Sequence, residues 1–390
     1  MTDETPLIAD GGVLVGGGRI KEVGRFQDLR KERACVKEVE GVITPALINA
    51  HAHLELSHLG EVLSESLSGD GPRGIVDWIR LLIAARDKAG DGSAVRAAAR
   101  AVLERLAAEG CAVVADIGNK PDSRLPAADS SVQVYFFLEY IGLSQAAQEK
   151  LLAGLNRLPS DCLCTGHSPY STGPALLVEL KRRARISGTI FPLHVAESAE
   201  EIDFLRTGRG PFRDFLLERQ AWDGTFLPPG VGSVSYLARL GLLDRQTLCV
   251  HCVHIDEDEI TLLAASRATV CLCPGSNRTL GVGKPPVSAL VEHGIPLALG
   301  TDSLASNPEL SLWREMRLLK EDHPDLLPEA IFAMACRGGA TGLGLEAEFG
   351  KLAEGMSSRM LGVTAPRLKQ TEVFEFLVNQ GGQTPIMWLA

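Results

Sequence analysis

Short apolar runs alternate with amphipathic stretches from residue 43 to about residue 345. The runs have the length of buried strands, and the stretches between them repeat apolar residues at helical spacing. Strands are predicted at 43–53, 111–118, 132–140, 162–167, 190–195, 247–253, 269–274 and 296–301. Helices are predicted between most of them, for example at 93–109, 174–187, 256–266 and 309–321. Eight strands alternating with helices predict an α/β fold, a (β/α)8 TIM barrel.

The first 40 residues follow a different pattern, in which glycine clusters separate short alternating runs. No helix opens after the glycines of segment 11–18, so the pattern indicates antiparallel strands and not a dinucleotide-binding loop. Beyond about residue 345 the alternation fades into a tail that is able to rejoin the N-terminal strands.

The longest irregular insertion is predicted at 206–232, and it follows the predicted strand 190–195 that ends near His194. Barrel enzymes place substrate loops and lids in such positions. The insertion carries Arg206, Arg209 and Arg213 in an otherwise acidic chain. It is therefore a candidate, together with Arg278, for binding a substrate carboxylate.

Composition and charge narrow the class of protein. The chain has 390 residues, of which 45% are hydrophobic, so it is able to bury a large core. A formal net charge of −10 argues against nucleic-acid or anionic-membrane partners. No apolar run approaches the length of a membrane span, and residues 1–6 lack the basic start of a signal peptide. We expect a cytoplasmic protein, and the sequence leaves monomer and homodimer open.

The nine cysteines lie mostly inside apolar runs, as reduced thiols do in cytosolic proteins. Cys249 and Cys252, followed by Cys271 and Cys273, resemble a four-cysteine zinc site at first sight. The second pair has one intervening residue instead of two, and both pairs fall within predicted strands. We therefore interpret these cysteines as core residues.

His51 and His53 close the first predicted barrel strand. Residues i and i+2 of a strand point to the same side, so both imidazoles are placed to bind one divalent metal ion. His194, His251 and Asp302 also end predicted strands. Any one of these histidines alone is more often a packed core residue than a metal ligand. Five polar groups at the carboxyl ends of apolar strands are costly to bury unpaired, and active sites of such barrels form at that end.

Six segments resemble the amidohydrolase superfamily, specifically its adenosine- and guanine-type deaminase branch, and they occur in that family's order: 45–53, 167–170, 194–197, 251–254, 273–277 and 299–303. Within this branch, segments 51–57, 210–215 and 276–281 look most like the aminodeoxyfutalosine deaminases. The resemblance implies a barrel at 43–345 and a small β-sandwich domain formed by residues 1–42 and 346–390. The family's closing motif is altered here at 355–361, so the small domain is expected to be abbreviated.

The resemblance also implies a metal centre. His51, His53, His194 and Asp302 would bind one divalent ion, with zinc favoured over iron. The fourth predicted strand has no lysine that might hold a second metal after carboxylation, which favours the mononuclear form.

The same resemblance assigns roles to the neighbouring residues. Asp302 would accept a proton from water, Glu197 would protonate the ring nitrogen N1, and His251 would contact the attacking oxygen. His167 would contact a purine nucleoside substrate, and Asn277, Ser303 and Arg278 are further candidates for substrate contacts. Glu197 also fits a surface glutamate, because Glu200 and Glu201 follow it. Glu139 is equally consistent with a buried paired carboxylate and with an acceptor for ribose hydroxyls.

Three functions compete at this point. The first is deamination of an adenine nucleoside, with 6-amino-6-deoxyfutalosine as first candidate and a role in menaquinone biosynthesis. S-Adenosylhomocysteine, methylthioadenosine, adenosine and guanine are alternative substrates. The second is hydrolysis of another bond on the same fold, as in triazine chlorohydrolases. The third is a metal-free barrel with a structural role, which would not need the ligand set.

Overall fold

The computed structural model describes residues 7–29, 35–67, 74–88, 92–121, 131–159 and 161–389. Residues 1–6, 30–34 and 390 of the predicted small domain lie outside these ranges. The strands within them are β1 (Gly11–Gly16), β2 (Arg19–Arg25), β3 (Gly41–Pro45), β4 (Leu47–Ala52), β5 (Cys111–Gly118), β6 (Gln133–Tyr140), β7 (Cys164–Gly166), β8 (Phe191–Val195), β9 (Thr247–His251), β10 (Thr269–Leu272), β11 (Leu297–Leu299), β12 (Met360–Thr364) and β13 (Ile386–Trp388).

The α-helices in the described ranges are α1 (Phe26–Leu29), α2 (Gly60–Leu67), α3 (Ile75–Lys88), α4 (Gly92–Ala108), α5 (Gln145–Leu155), α6 (Pro174–Ser187), α7 (Ala199–Thr207), α8 (Pro211–Glu218), α9 (Ser233–Arg239), α10 (Glu257–Ser266), α11 (Pro274–Leu280), α12 (Val287–Glu292), α13 (Leu312–Asp322), α14 (Pro328–Ala333), α15 (Gly339–Leu343) and α16 (Val373–Gln380). Short 3₁₀ turns lie at Leu54–Leu59, Gln370–Glu372 and Gly381–Gln383, and a π-helical turn lies at Met334–Gly338.

Strands β4 to β11 form a closed parallel barrel. β4 to β7 pair in sequence order, and so do β8 to β11. The seam between β7 and β8 is closed by the His194 N–H, which donates to the His167 carbonyl at 2.9 Å. The seam between β11 and β4 is closed by the Thr301 N–H, which donates to the His51 carbonyl at 3.0 Å, and by a parallel bridge from Ala52 to Asp302. The predicted (β/α)8 barrel is confirmed.

The barrel strands are covered on both faces. Every residue of β4 and β5 is buried, as expected of parallel strands enclosed by helices. Helix boundaries follow local sequence: α6 begins at Pro174, and Gly188 ends it in the left-handed conformation at φ 64°. No helix in the described ranges is both long and apolar enough to cross a membrane.

The predicted strand 43–53 consists of two strands in different sheets. β3 pairs antiparallel with β12, whereas β4 pairs parallel with β5. Pro45 separates them, because a proline has no N–H with which to continue a ladder. At Leu47 the backbone N–H donates to the Gly110 carbonyl at 3.0 Å, and the barrel begins.

The chain termini form two small antiparallel sheets. One is the β1–β2 hairpin, and the other has the order β13-β12-β3. The Ile20 N–H donates to the Met356 carbonyl at 2.9 Å, and Arg19 bridges Ser357, so the hairpin contacts the C-terminal segment. The division into two domains with the predicted boundaries stays a prediction.

The insertion at 206–232 is only partly irregular. Gly210 and Pro211 start helix α8, which buries Phe212, Phe215 and Leu216. These side chains join an apolar cluster with Tyr170 and other residues beside the carboxyl end of the barrel. An apolar face at helical spacing explains why this stretch folds as a helix.

A matched pair of glycine substitutions tests the packing of the last barrel strand. A Cβ at Gly338 would overlap the Leu297 carbonyl oxygen of β11, whereas a Cβ at Gly154 in α5 would meet no atom within 4 Å. We expect Gly338→Ala to lower the free energy of unfolding by about 1–3 kcal/mol or more through overpacking. Gly154→Ala should raise it by about 0.5–1 kcal/mol. Urea denaturation measures both, and an unchanged midpoint for Gly338→Ala would contradict this packing.

Candidate metal centre and active site

Four buried side chains meet at the carboxyl end of the barrel. His51 is the last residue but one of β4 and His53 directly follows that strand, His194 lies in β8, and Asp302 follows β11. One ligand atom from each lies within 4.8 Å of the ligand atoms of the others. Their convergence follows from the parallel strands, whose carboxyl ends share one rim.

The hydrogen bonds of two histidines fix which nitrogen faces the centre. His53 Nδ1 lies 3.1 Å from the Ile117 carbonyl, and His194 Nδ1 lies 3.0 Å from the His167 carbonyl. A carbonyl only accepts, so each Nδ1 carries the proton and donates. The two Nε2 lone pairs then face each other at 3.3 Å, an arrangement that suits a shared cation. Both nitrogens of His51 are buried without a hydrogen-bond partner among the described residues.

Asp302 presents one oxygen to the centre. Its Oδ2 accepts hydrogen bonds from Ser276 Oγ at 2.5 Å and from Ser306 Oγ at 2.8 Å. Its Oδ1 lies 3.8 Å from His51 Nε2 and 3.7 Å from His53 Nε2. The two hydroxyls therefore hold the carboxylate so that Oδ1 is directed to the histidines.

Burial sets the protonation of this cluster. It lowers the pKa of His53 to about 3 and lowers the pKa of His51 and of His194, so all three imidazoles are neutral at neutral pH. Burial alone would raise the pKa of Asp302, but attraction to His53, His251 and His194 in their protonated forms and the hydrogen bond from Ser276 outweigh it, so the pKa is lowered. Three neutral imidazoles and one carboxylate are the donor set of a catalytic transition-metal site, so these residues fit one divalent ion.

Glu197 and His251 flank the metal ligands. Glu197 Oε1 lies 3.6 Å from His251 Nε2, and both groups are within 4.8 Å of an Asp302 oxygen. Burial raises the pKa of Glu197 to about 7, which suits a group that takes and gives protons at neutral pH. His251 Nδ1 lies 2.8 Å from Asn277 Oδ1 and donates to it, so Nε2 of the neutral ring is an acceptor.

The backbone is strained at this rim. Ala196, His251, Cys252 and Asp302 have φ between 50° and 75°, the left-handed region that residues with a Cβ rarely adopt. Each such residue costs of the order of 1–3 kcal/mol and persists only when its surroundings hold it. Four such residues lie at the ends of β8, β9 and β11, so the surrounding structure holds the backbone of this rim in an unfavourable conformation.

Two of the predicted substrate-contact residues join the cluster. Glu139, at the end of β6, and His167, after β7, have ligand atoms within 4.8 Å of His194. Glu139 Oε2 accepts from Asn119 Nδ2 at 2.6 Å, and burial raises the pKa of Glu139 to about 7. His167 Nδ1 contacts the Ser171 hydroxyl at 2.8 Å.

Two further candidates for substrate contact, Asn277 and Ser303, are buried and form hydrogen bonds with neighbouring side chains. Asn277 holds His251, as described, and its Nδ2 has no partner among the described residues. The Ser303 hydroxyl lies 3.2 Å from the Ser306 hydroxyl, and Ser306 in turn holds Asp302. Ser303 thus supports the metal ligand from behind.

Arg278 is not brought to this cluster. Its guanidinium pairs with Glu321 and with Asp322, each at 2.9 Å, on the exposed side of α11. Within the insertion, Arg206 pairs with Asp256 and Arg213 with Asp214. Carboxylates from elements distant in sequence pair with Arg278 and Arg206, and binding of a substrate carboxylate by these arginines stays a prediction.

Sequence reasoning missed several residues that shape the site. Ser276 and Ser306 orient Asp302, and Asn119 holds Glu139. The Tyr170 ring packs on Phe212 at 4.1 Å, and burial, reinforced by nearby Glu197, raises the pKa of Tyr170 well above its usual value. Ser276 and Tyr170 stand inside segments already singled out for their resemblance, which is the signal that was available.

A parallel barrel with three histidines and an aspartate at its carboxyl rim, beside a protonatable glutamate, defines a metal-dependent hydrolase. The sequence model of the Amidohydrolase family matches residues 42–361. The chain belongs to the amidohydrolase family and is a hydrolase of C–N bonds.

Curated relatives divide between two activities. The aminodeoxyfutalosine deaminase of Deinococcus radiodurans is 29% identical over 345 residues, covering 84% of this chain and 80% of that protein. A 5-methylthioadenosine/S-adenosylhomocysteine deaminase of Nitratidesulfovibrio vulgaris is also 29% identical, covering 88% and 77%. Among solved structures, Helicobacter pylori aminofutalosine deaminase in complex with methylthio-coformycin has a TM-score of 0.79 at 23% identity, covering 97% and 95%. That likeness shows the shared fold.

Removing one ligand tests the metal centre. We expect His53→Ala to lose the bound metal and the activity while the circular dichroism spectrum stays that of the folded barrel, because an open ligand position weakens binding. His254→Ala is the matched control, since His254 Nε2 contacts the Val282 carbonyl at 2.7 Å outside the cluster. Elemental analysis of both proteins decides. Full metal content in His53→Ala, or a trace of metal in active wild type, would contradict the assignment.

Proposed function

We propose that this protein deaminates the adenine ring of a nucleoside, with 6-amino-6-deoxyfutalosine as first candidate and futalosine and ammonia as products. The observation that carries the proposal is the buried carboxyl of Glu197, with a pKa of about 7, beside His251 and a three-histidine, one-aspartate ligand set. Deamination needs an acid for the ring nitrogen and for the leaving amine, and hydrolysis of a C–Cl bond has no such leaving amine.

The two groups of relatives support an adenine nucleoside in common. Their names specify aminodeoxyfutalosine in one case and methylthioadenosine or S-adenosylhomocysteine in the other, at equal identity. The first substrate would place the enzyme in menaquinone biosynthesis, as the resemblance of segments 51–57, 210–215 and 276–281 implies. Nine unpaired cysteines support a reducing, cytoplasmic setting.

We propose that His51, His53, His194 and Asp302 hold one divalent ion, with zinc favoured by the nitrogen-rich donor set and iron as the alternative. Such an ion lowers the pKa of a coordinated water from about 16 to about 7. The protein's own residues then carry the proton transfers.

Each proton has a defined acceptor in the proposed reaction. Asp302 accepts a proton from water as its oxygen attacks C6 of the adenine ring. Neutral His251, whose Nε2 is an acceptor, takes a hydrogen bond from the same water and aligns it. Glu197 delivers a proton to N1, which neutralises the charge pushed into the ring. Asp302 then passes the proton it took from water to the exocyclic amine, the C6–N bond breaks and ammonia leaves. The remaining hydroxyl proton at C6 returns to Glu197, so that a 6-oxo purine is left and both carboxyl groups regain their starting protonation.

Glu139 and His167 are proposed to contact the nucleoside. They end neighbouring strands at the rim, next to the ligand His194. The Glu139 carboxylate, held by Asn119, is a suitable acceptor for ribose hydroxyls, and His167 offers a ring that is only partly buried. Deaminases of adenosine, methylthioadenosine, S-adenosylhomocysteine or guanine, and triazine-type hydrolases, are the alternatives.

A substrate panel tests the proposed function. The metal-loaded enzyme would be assayed for ammonia release from 6-amino-6-deoxyfutalosine, methylthioadenosine, S-adenosylhomocysteine, adenosine and guanine, and for chloride release from a chlorotriazine. We expect the highest kcat/KM on 6-amino-6-deoxyfutalosine. A higher kcat/KM on methylthioadenosine or S-adenosylhomocysteine would keep the deaminase and replace its substrate, whereas chloride release without ammonia would overturn deamination.

Replacing the proton-carrying group tests the mechanism. We expect Glu197→Gln to reduce kcat by about 10²–10⁴-fold with the metal retained, because an amide cannot exchange a proton with N1. Glu200→Gln, which removes a glutamate from the first turn of α7 outside the cluster, should keep kcat. Steady-state kinetics with parallel metal analysis gives the answer. Wild-type kcat in Glu197→Gln would exclude the proton-carrying role.

A further inference from the structure

Glu201, in the first turn of α7, is a buried carboxylate that the proposed reaction does not use directly. Its side chain is 0% exposed. Oε1 accepts from the Ala196 N–H at 2.9 Å and from Ser233 Oγ at 2.5 Å, and Oε2 accepts from the Glu197 N–H at 2.9 Å. Glu201 thus binds the two backbone amides that lead from β8 to the proposed proton carrier.

The peptide that Glu201 holds lies between two strand ends. Ala196 has a left-handed φ of 52° and remains there only while its surroundings compensate the strain. On its other side, the Ala196 carbonyl accepts from the Val253 and His254 N–H groups, each at 2.9 Å. Those residues follow His251 in the chain, so one carboxylate fixes the backbone beneath both Glu197 and His251.

Stability alone does not account for a carboxylate at this position. Its described partners are two amides and a hydroxyl, all neutral donors, and burial raises the pKa of Glu201 to about 7. A buried carboxylate without a cation costs free energy of folding, and an apolar side chain of similar volume often stabilises more. An apolar side chain accepts no hydrogen bonds, so it would not hold the N–H groups of Ala196 and Glu197 in a fixed direction.

We propose that Glu201 is a positioning residue of the reaction, which orients the Ala196–Glu197 peptide so that the Glu197 carboxyl stays 3.6 Å from His251 Nε2 and faces the substrate. This inference rests on the proposed function of Glu197. Glu201 acts through Glu197 and has no contact with the substrate in the scheme.

Glu201→Gln is the informative substitution, because the amide keeps the shape but offers one acceptor atom instead of two. We expect kcat to fall about 10- to 100-fold, the range for partners that orient a reacting group, with KM and metal content unchanged. Glu259→Gln is the matched control: Glu259 is equally buried and accepts the Ser235 N–H at 2.9 Å, away from the Ala196–Glu197 peptide. It should keep kcat, and its melting temperature shows what the loss of a buried acid does to stability alone.

A double-mutant cycle separates positioning from general destabilisation. If Glu201 acts through Glu197, then Glu201→Gln should reduce kcat no further in the Glu197→Gln background. An equal loss in both backgrounds, wild-type kcat in Glu201→Gln, or an equal loss in Glu259→Gln would each overturn the proposal.

A structural readout keeps this inference distinct from the proposed function. In crystal structures of the metal-loaded wild type and of Glu201→Gln, we expect the Ala196–Glu197 peptide to turn and the distance from Glu197 Oε1 to His251 Nε2 to increase in the variant. Unchanged geometry would refute the positioning role whatever the substrate is. Absence of adenine deamination in the wild type, together with the expected shift, would instead refute the proposed function alone.

Discussion

The carbonyl oxygen of His51 is the atom on which the fold and the site both depend. It accepts the N–H groups of Thr301 and Asp302, at 3.0 and 3.1 Å, and so joins the last barrel strand to the first. The ring of the same residue and the carboxylate of Asp302 belong to the proposed ligand set. The hydrogen bonds that close the barrel therefore also bring two of the four proposed ligands together, so the site depends on closure of the sheet.

The surroundings of the site are maintained by buried acids. Burial raises the pKa of Glu139, Glu197, Glu201 and Glu315 to about 7 in each case. Glu315, on α13, accepts the Gly275 N–H at 2.7 Å and thereby anchors the helix that carries Ser276 and Asn277. Burying a glutamate lowers the free energy of unfolding unless hydrogen-bond donors surround it, and here the loops after the strands supply those donors. The hydrogen bonds in turn hold the loops in conformations that the backbone alone would not favour.

The sequence predicted the barrel and its rim because both leave local signals. Apolar runs mark the strands, and polar residues that end such runs, like His51 and His194, must lie at the carboxyl rim. The break at Pro45 was missed because apolarity continues across it, although the proline was visible. The ion pairs of Arg278 were not foreseen for another reason: Glu321 and Asp322 lie at a distance in sequence that no local pattern reveals. The hydroxyls of Ser276 and Ser306 carry no distinctive spacing either.

The two halves of the barrel contribute equally to the ligand set. The half formed by β4 to β7 supplies His51 and His53, and the half formed by β8 to β11 supplies His194 and Asp302. Neither half contains enough of the proposed donors for a tight site, so a bound ion would act as a non-covalent cross-link between them. An ion that binds the folded chain and not the unfolded one adds its binding free energy to the free energy of unfolding. The ion would thus stabilise the contact between the two halves of the barrel at both seams. After its loss, we expect the halves to separate before the strands within either half lose their pairing.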